Sequence, residues 1–370
     1  MNQKTNLLDF DREGLAAFFV DHGEKRFRAD QVVKWIHQNG VDDFEQMTNI
    51  SKSLRAWLAE NCEITPPEIV RDEVSADGTR KWLLRLQDGN AIETVFIPEA
   101  DRGTLCISSQ AGCILDCTFC ATAQQGFSRN LTTGEILSQV WLASRLLDGF
   151  NQRQKVISNI VMMGMGEPLY NYRNVVPALK TFMDDHAYGL SNRRVTVSTA
   201  GVVPNIDKLA GDCDVALAIS LHAPNDELRN QLVPLNQRFP IRELLDACKR
   251  YIGERATRKI TIEYVMLKGV NDQPEHAREL VRLLQGLRAK VNLIPFNAFG
   301  RIPYQCSSRD QIARFNTILQ SAGLVSTIRK TRGQDIDAAC GQLAGRISDK
   351  LSRASSSVVL DANSISLGAT

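Results

Sequence analysis

Residues 105–120 read LCISSQAGCILDCTFC, in which a short apolar run leads into a loop with three cysteines. The run at 105–109 has the length and composition of a buried strand. Cys113, Cys117 and Cys120 follow it in a Cys-x3-Cys-x2-Cys spacing. In parallel α/β folds, catalytic loops follow the carboxyl ends of strands. The stretch therefore predicts the first strand of such a fold and a loop that carries chemistry.

After this loop, strand-like and helical patterns alternate along the chain. Helical periodicity is clear at 133–147, 241–251 and 274–287. Repeated βα units predict an α/β fold with a parallel sheet. Six units are too few for an eight-stranded barrel, so a partial (β/α)6 TIM-like barrel and a doubly wound sheet both fit. The strand-like runs are 105–109, 157–163, 195–199, 215–220, 260–266 and 291–295.

The pattern along the chain predicts four parts. Residues 1–65 carry helical apolar stripes, which predict a small helical accessory domain. Within 66–100, KWLLRLQDGNAIETVFIP contains two strand-like runs around Asp88-Gly89, which predict a β-hairpin. Residues 101–347 contain the βα units of the predicted catalytic domain, and the small, polar tail at 348–370 predicts disorder.

Composition narrows the class of protein without deciding its partner. The chain has 370 residues, 43% of them hydrophobic, and a formal net charge of +2. No run approaches the roughly 18 apolar residues of a membrane span, and the first residues do not resemble a secretory signal. We therefore expect a cytoplasmic protein whose nine cysteines favour metal binding or catalysis. A charge of +2 neither requires nor excludes nucleic acid, because a basic face can be local.

The three clustered cysteines allow three interpretations. Thiolates select zinc or iron–sulfur clusters, and a cubane held by three cysteines leaves one iron open for a cofactor. A structural zinc ion normally has four ligands and would need a distant fourth, such as Cys106 or Cys340. The third interpretation is three unrelated core cysteines, which the position at a strand end disfavours. The spacing by itself favours the cluster.

A second group of residues lies where later strands are predicted to end. Glycines at a strand end let the backbone approach a ligand closely, and polar residues at strand ends converge on one rim. Each of these residues could equally cap a helix or turn. The group consists of Gly166, Glu167, Ser198, Ser220, Leu221, His222 and Asn297.

The cysteine spacing, with Phe119 before the last cysteine, resembles the radical S-adenosylmethionine superfamily. The resemblance implies a partial barrel and a [4Fe-4S] cluster on the three cysteines. It also implies that S-adenosylmethionine binds the open iron and yields a deoxyadenosyl radical when reduced. The second group would then bind S-adenosylmethionine.

Two further segments, FCATAQQGFSRNLTTGEI at 119–136 and STIRKTRGQDIDAACGQL at 326–343, resemble the RlmN family of dual-specificity RNA methyltransferases. The resemblance implies methylation of adenine carbon 2 in 23S rRNA and tRNA, with two S-adenosylmethionine molecules per turnover. It implies that Cys340 becomes methylated and forms a covalent adduct with RNA. Cys106 would resolve this adduct through a disulfide bond, and Glu93 would remove the proton from carbon 2.

The same resemblance implies that the partners are 23S rRNA and tRNA, and that a small flavoprotein or ferredoxin donates the electron. We expect the protein to be a monomer. Two basic groups suit phosphate contacts, and we expect the N-terminal domain to grip RNA. These groups are Lys25, Arg26, Arg28, Arg329, Lys330 and Arg332. Two alternatives remain open, namely a related carbon 8 rRNA methyltransferase and a zinc-stabilised RNA-binding protein without catalytic activity.

Overall fold

The structure is a computed structural model that describes residues 4–150, 156–254, 258–300, 302–339 and 341–343. Cys340 and the tail at 348–370, both subjects of predictions above, lie outside the described residues. The predicted helical character of the first 65 residues is confirmed. Its helices are α1 (Arg12–Asp21), α2 (Arg28–His37) and α3 (Lys52–Asn61). A short parallel ladder of β1 (Thr5–Asn6) and β2 (Cys62–Glu63) joins the two ends of this segment.

A mixed sheet of ten strands forms the centre of the described structure. Its first four strands in chain order are β3 (Glu68–Val74), β4 (Arg80–Arg85), β5 (Ala91–Glu99) and β6 (Arg102–Cys106). The chain then forms a separate two-stranded ladder of β7 (Gln110–Gly112) and β8 (Phe127–Asn130). The remaining strands of the sheet are β9 (Asn159–Met162), β10 (Val195–Thr199), β11 (Ala216–Ser220), β12 (Ile260–Met266), β13 (Ala289–Pro295) and β14 (Val325–Ile328). From β6 through β14 the neighbouring strands of the sheet are parallel. The hairpin strands join the same sheet, because β5 pairs antiparallel with β6.

The sheet curves around a cavity of about 480 Å³. Residues of β5, on one side of the sheet order, and of β14, at its opposite edge, line this one cavity. A doubly wound sheet would cover both faces with helices. The predicted partial barrel is therefore confirmed, and β14 adds a parallel strand beyond the predicted six.

Helices follow most of the parallel strands. They are α4 (Ala121–Gln125), α5 (Thr133–Leu146), α6 (Tyr172–Met183), α7 (Val203–Asp212), α8 (Asp226–Leu232), α9 (Ile241–Ile252), α10 (Pro274–Leu283) and α11 (Arg309–Ser321). Thr132 and Glu135 form a capping box that starts α5. The indole nitrogen of Trp141 on α5 donates to the Ile36 carbonyl of α2 at 2.9 Å, which joins the N-terminal helices to the barrel. No helix among the described residues has the length and apolar content of a membrane span.

Two strands of the central sheet escaped prediction because neither has an apolar run. Three of the four residues of the edge strand β14 are exposed. In β3, no residue is buried. The first barrel strand, β6, begins earlier than predicted, at Arg102, and ends at Cys106. Just beyond this end, the amide of Ile107 still donates a hydrogen bond to the Val161 carbonyl of β9.

Candidate functional site

The cysteine loop lies between β7 and α4, over the carboxyl ends of the parallel strands. Cys113 and Cys117 pack against a small apolar cluster that includes Val265, near the end of β12, and Phe296, just past the end of β13. The amide of Cys120 donates to the Cys117 carbonyl at 3.2 Å, which folds the loop back on itself. The predicted position of the loop is confirmed.

The thiols of this loop are partly buried and influence one another electrostatically. Burial raises the pKa of Cys113 to about 12, and negative charge on Cys120 adds to this effect. Burial followed by the charges of Cys120 and Cys113 raises the pKa of Cys117 well above its ordinary value. Because burial disfavours the thiolate form, these cysteines ionise only if positive charge lies beside them. An iron–sulfur cluster supplies that charge, and three soft thiolate donors suit it.

No set of three or more His, Cys, Asp or Glu side chains within the described ranges is arranged to hold a metal ion. A cubane needs no such grouping, because each of its cysteines binds a different iron atom. Three thiolate donors on one loop therefore suit a cluster better than a single ion.

Gly166 brings the backbone after β9 close to the cysteine loop. It has a φ of +99°, and a Cβ there would lie 2.5 Å from the Cβ of Gln110. Only glycine tolerates this combination without displacing its neighbour. The Gln110 side-chain oxygen accepts hydrogen bonds from the amides of Glu167 at 3.0 Å and Ile114 at 3.3 Å. One side chain thus joins the Gly-Glu segment to the cysteine loop.

Glu167 is 3% exposed, and backbone amides bind its carboxylate. One oxygen accepts from Leu169 at 3.0 Å and the other from Ala200 at 2.8 Å. Burial raises the pKa of Glu167 to about 6, although these hydrogen bonds oppose the shift. Because both carboxylate oxygens are engaged, the groups of this segment best suited to an ammonium ion are its backbone carbonyls.

Serine hydroxyls from two neighbouring strands meet near the same rim. Ser198 of β10 and Ser220 of β11 have their Oγ atoms 3.5 Å apart. Asn297 follows β13, lines the cavity and donates to the Pro295 carbonyl at 3.3 Å. Leu221 is fully buried, so a ligand there would meet its backbone rather than its side chain.

His222 is a buried, neutral residue that helps to seat the cysteine loop. Its ring lies edge-on to Phe119 with centroids 4.8 Å apart. Its Nδ1 accepts from the Val265 amide at 3.1 Å, which assigns the proton of the neutral ring to Nε2. Burial lowers the pKa of His222 to about 3, and the charge of Arg229 adds to this.

The cavity enclosed by the sheet is polar along much of its wall and basic at its rim. Cys106 and Asn297, both singled out by sequence, line it together. Its other polar lining residues include Asn159, Thr196, Thr261, Glu263, Asn292 and Thr327. Its basic lining residues are Arg102, Lys290, Arg329, Lys330 and Arg332.

Residues on both sides of position 340 lie at the cavity and at the cysteine loop. Ala338, Ala339 and Leu343 line the cavity. The Gly341 carbonyl accepts from the amide of Ala121, the residue after the last cysteine of the loop, at 2.8 Å. Thr122 donates through its hydroxyl to the Leu343 carbonyl at 2.7 Å. The residues on either side of position 340 therefore contact the cavity wall and the helix that follows the cysteine loop.

Glu93 is 5% exposed on β5 and is not among the residues that line the cavity, whereas Val95 of the same strand is. The ammonium of Lys81 lies 3.4 Å from a Glu93 carboxylate oxygen and 3.4 Å from Glu73. The same ammonium donates to the Asp337 carbonyl at 3.4 Å. One buried cation thus connects the predicted base to the segment that precedes position 340.

Arg229 holds several parts of the site together, and sequence reasoning did not identify it. It is fully buried on α8. Its guanidinium donates to the carbonyls of Leu221 at 3.0 Å, Ala200 at 2.6 Å and Ser220 at 3.2 Å. It therefore fixes the ends of β10 and β11, and its charge favours the Cys117 thiolate. A lone arginine in a polar helix has no local signal that would have identified it.

Comparison with known proteins agrees with this geometry. Residues 5–64 match the ribosomal RNA large subunit methyltransferase N-terminal domain, and residues 107–281 match the radical SAM superfamily. The chain is 60% identical over 352 residues to the dual-specificity RNA methyltransferase RlmN of Marinobacter nauticus, covering 95% of each protein.

A crystal structure of a radical SAM methyltransferase from Sphaerobacter thermophilus is also similar. It superposes with a TM-score of 0.86 at 45% identity, covering 92% of this chain and 99% of that one. The sequence identity, the matched domains and the shared fold together show that this chain belongs to the RlmN family of dual-specificity RNA methyltransferases, within the radical SAM superfamily.

Proposed function

We propose that this enzyme methylates carbon 2 of a specific adenine in the peptidyl transferase centre of 23S rRNA and of the adenine next to the anticodon in tRNAs. Membership of the family supports RNA methylation with a [4Fe-4S] cluster and S-adenosylmethionine. One observation carries the finer proposal. Residues on both sides of position 340 contact the helix after the cysteine loop and line the cavity that Cys106 also lines.

The chemistry of the target explains the need for a radical. Carbon 2 of adenine is electron-poor and has no lone pair with which to attack a methyl sulfonium. When bound, the cluster and S-adenosylmethionine supply a deoxyadenosyl radical. The residues that would hold them are Cys113, Cys117 and Cys120 for the cluster, and Gly166, Glu167, Ser198, Ser220, Leu221, His222 and Asn297 for S-adenosylmethionine.

Three residues of the chain would carry the remaining steps. Cys340 would first take a methyl group from one S-adenosylmethionine. This methyl group would lose a hydrogen atom to the radical supplied by a second S-adenosylmethionine, and its carbon would then bond to carbon 2. The adduct would return one electron to the bound cluster as it loses its proton. Glu93 accepts the proton that leaves carbon 2. The Cys106 thiolate then attacks the sulfur of Cys340, which forms a disulfide and breaks the bond between sulfur and the transferred carbon. That carbon takes a proton, and methylated RNA leaves.

The wider setting of the reaction remains part of the proposal. Residues 1–65 would serve as an RNA-binding accessory domain, 66–100 as a hairpin extension and 101–347 as the catalytic domain, with 348–370 as a tail. We expect a cytoplasmic monomer that takes electrons from a small flavoprotein or ferredoxin. The target base would leave its stack to enter the cavity, as in other enzymes that modify bases.

The test is anaerobic cluster reconstitution followed by assays on an rRNA fragment and on tRNA. The wild type should be brown and should form 2-methyladenosine, whereas Cys340→Ala should form none. Cys106→Ala should accumulate covalent protein–RNA adduct, because no thiol releases it. Cys213→Ala, a buried cysteine at the end of α7, is the matched control and should behave as wild type.

Three results would contradict the proposal. Methylation at carbon 8, read by mass spectrometry, would assign the related activity instead. A colourless zinc protein without activity would indicate an RNA-binding role. Full methylation by Cys340→Ala would remove the methyl-cysteine route.

A further inference from the structure

Four polar residues form one row across neighbouring strands of the sheet, and three of them, Glu263, Asn292 and Thr327, line the cavity. The strand register pairs Ser220 with Glu263, Glu263 with Asn292, and Asn292 with Thr327. The Thr327 hydroxyl donates to the Asn292 side-chain oxygen at 2.9 Å. The Asn292 amide nitrogen in turn donates to Glu263 Oε1 at 2.9 Å. Thr327 and Asn292 thus direct their hydrogen bonds toward the carboxylate of Glu263.

The second carboxylate oxygen of Glu263 has no such donor. Glu263 is 3% exposed, and within the described part of the chain its Oε2 has no hydrogen-bond partner. Burial raises the pKa of Glu263, while the charges of Arg329 and Lys290 and the Asn292 hydrogen bond oppose that shift. Buried polar atoms in folded proteins are almost always satisfied, so an unsatisfied acceptor facing a cavity suggests a ligand with a donor.

Glu263 lies deeper in the barrel than the cysteine loop. Side chains two residues apart on a strand share a face, so Thr261, Glu263 and Val265 of β12 point the same way. Val265 packs in the cluster that supports the cysteine loop, whereas Thr261, toward the other end of the strand, lines the cavity. Cys106 lines the same cavity from β6, across β9, β10 and β11 from Glu263.

We propose that Glu263 Oε2 accepts a hydrogen bond from the exocyclic amino group of the target adenine and so selects adenine over purines that lack this group. The inference rests on the proposed function, because it places carbon 2 of the base beside Cys106 and the residues that flank position 340. In adenine, carbon 2 and the amino group point about 120° apart, so the amino group faces a different wall. A site built to bind an amino group rejects the analogue without it, because a buried acceptor is left unpaired.

The test compares RNAs that carry either adenosine or unsubstituted purine ribonucleoside at the target position. We expect the wild type to prefer adenosine in kcat/KM by about 10- to 150-fold beyond the intrinsic difference in reactivity, the range for one hydrogen bond to a charged group. Glu263→Gln should lose this preference. Asn292 holds the amide oxygen of the variant, so its NH₂ group faces the cavity and cannot accept. Comparing the two enzymes cancels the intrinsic reactivity of each base.

Two further variants make the comparison specific. Glu99→Gln changes another carboxylate of the same cavity, one already paired with Arg102, and should keep the wild-type ratio within about twofold. Glu263→Ala removes the acceptor without adding a donor and should lower the ratio as Glu263→Gln does. If one Glu263 variant fails to fold, the other still gives the ratio.

Two outcomes would overturn the inference. One is an unchanged adenosine preference in the Glu263 variants. The other is that the Glu263 variants lose methylation of Cys340 in the absence of RNA but keep the preference for adenosine, which would mean that the Glu263 carboxylate binds S-adenosylmethionine. A wild type that methylates no adenine at carbon 2 would instead refute the proposed function, so the two failures are distinguishable.

Discussion

At the scale of single residues, Lys81 is the group whose removal tests the proposed base most directly. Its ammonium lies between Glu93 and Glu73, with a side chain only 7% exposed. A positive charge at this distance in a buried setting favours the ionised carboxylate, which is the form that can accept a proton. The same ammonium binds the Asp337 carbonyl, so it also holds the segment that leads to position 340.

We predict that Lys81→Met slows removal of the carbon 2 proton by about 10-fold or more near neutral pH. Without the cation, the buried Glu93 carboxylate loses the contact that holds it in place, so it is less well positioned to take the proton. Single-turnover assays would measure both formation and decay of the covalent protein–RNA adduct on gels.

Lys81→Arg keeps the charge and should retain the wild-type rate of adduct decay. A Lys81→Met enzyme that forms the adduct more slowly but lets it decay at the wild-type rate would mean that Lys81 acts only by supporting the fold.

At the scale of elements, the segment after β14 is held by the turn between β3 and β4. Asp335 accepts from the Ser75 hydroxyl at 2.5 Å, and the Gly333 amide donates to Asp77 at 3.1 Å. Burial works against ionisation of Asp77, yet hydrogen bonds from Thr79 and Gly333 lower its pKa to about 2. The turn between β3 and β4 therefore holds residues 333–335, shortly before position 340, although the two lie far apart in sequence.

A second junction between elements depends on His37, at the end of α2. Its Nδ1 lies 3.2 Å from the Tyr188 hydroxyl, and the two rings are 5.1 Å apart. Burial lowers the pKa of His37 to about 4. The folded protein therefore resists a proton that the unfolded chain takes up near its ordinary pKa of 6.5.

We predict that this histidine contributes up to about 3 kcal/mol to the acid sensitivity of folding. Its stabilising effect is complete above pH 6.5 and is lost as the pH falls toward 4, because the unfolded state binds more protons. Urea unfolding from pH 8 to 4 should show a shallower loss of stability for His37→Gln than for wild type.

The exposed His22 provides the control, and His22→Gln should leave the steepness unchanged. The buried His222 should account for part of the slope that remains in His37→Gln. Equal slopes in wild type and His37→Gln would show that the junction does not respond to acid.

At the scale of the whole molecule, charge is arranged locally rather than in total. The chain has a net charge of only +2, yet five of the residues that line the cavity are basic. RNA binding depends on neutralised phosphates and the counterions they release, so a local basic rim favours it even at a small net charge. Exposed Lys290 and Lys330 belong to this rim.

We predict that changing both lysines to glutamine weakens RNA binding and lowers the slope of log affinity against log salt by about 1 to 2. Filter binding from 50 to 300 mM salt would measure this slope. Lys180→Gln/Lys208→Gln makes the same charge change on α6 and α7 and should keep the wild-type slope. If both double variants bound alike, the cavity rim would not be the site of phosphate contact.

Local patterns in the chain were enough to predict the class of fold and the place of the cysteine loop within it. The cysteine spacing at 113–120, the strand-like runs and the apolar stripes of the N-terminal helices all depend on neighbouring residues, so they are legible one segment at a time. Ser198 and Ser220 could be singled out because each was predicted to lie at a strand end, and their hydroxyls do meet.

Other features exist only once distant segments have packed together. Arg229, Lys81 and Glu263 are single polar residues on a helix or strand, and their significance comes from carbonyls, carboxylates or a cavity supplied by other elements. The exposed strand β14 joins the sheet only because β13 offers it an edge. Burial and pairing of polar groups are long-range properties, and for that reason local periodicity could not reveal them.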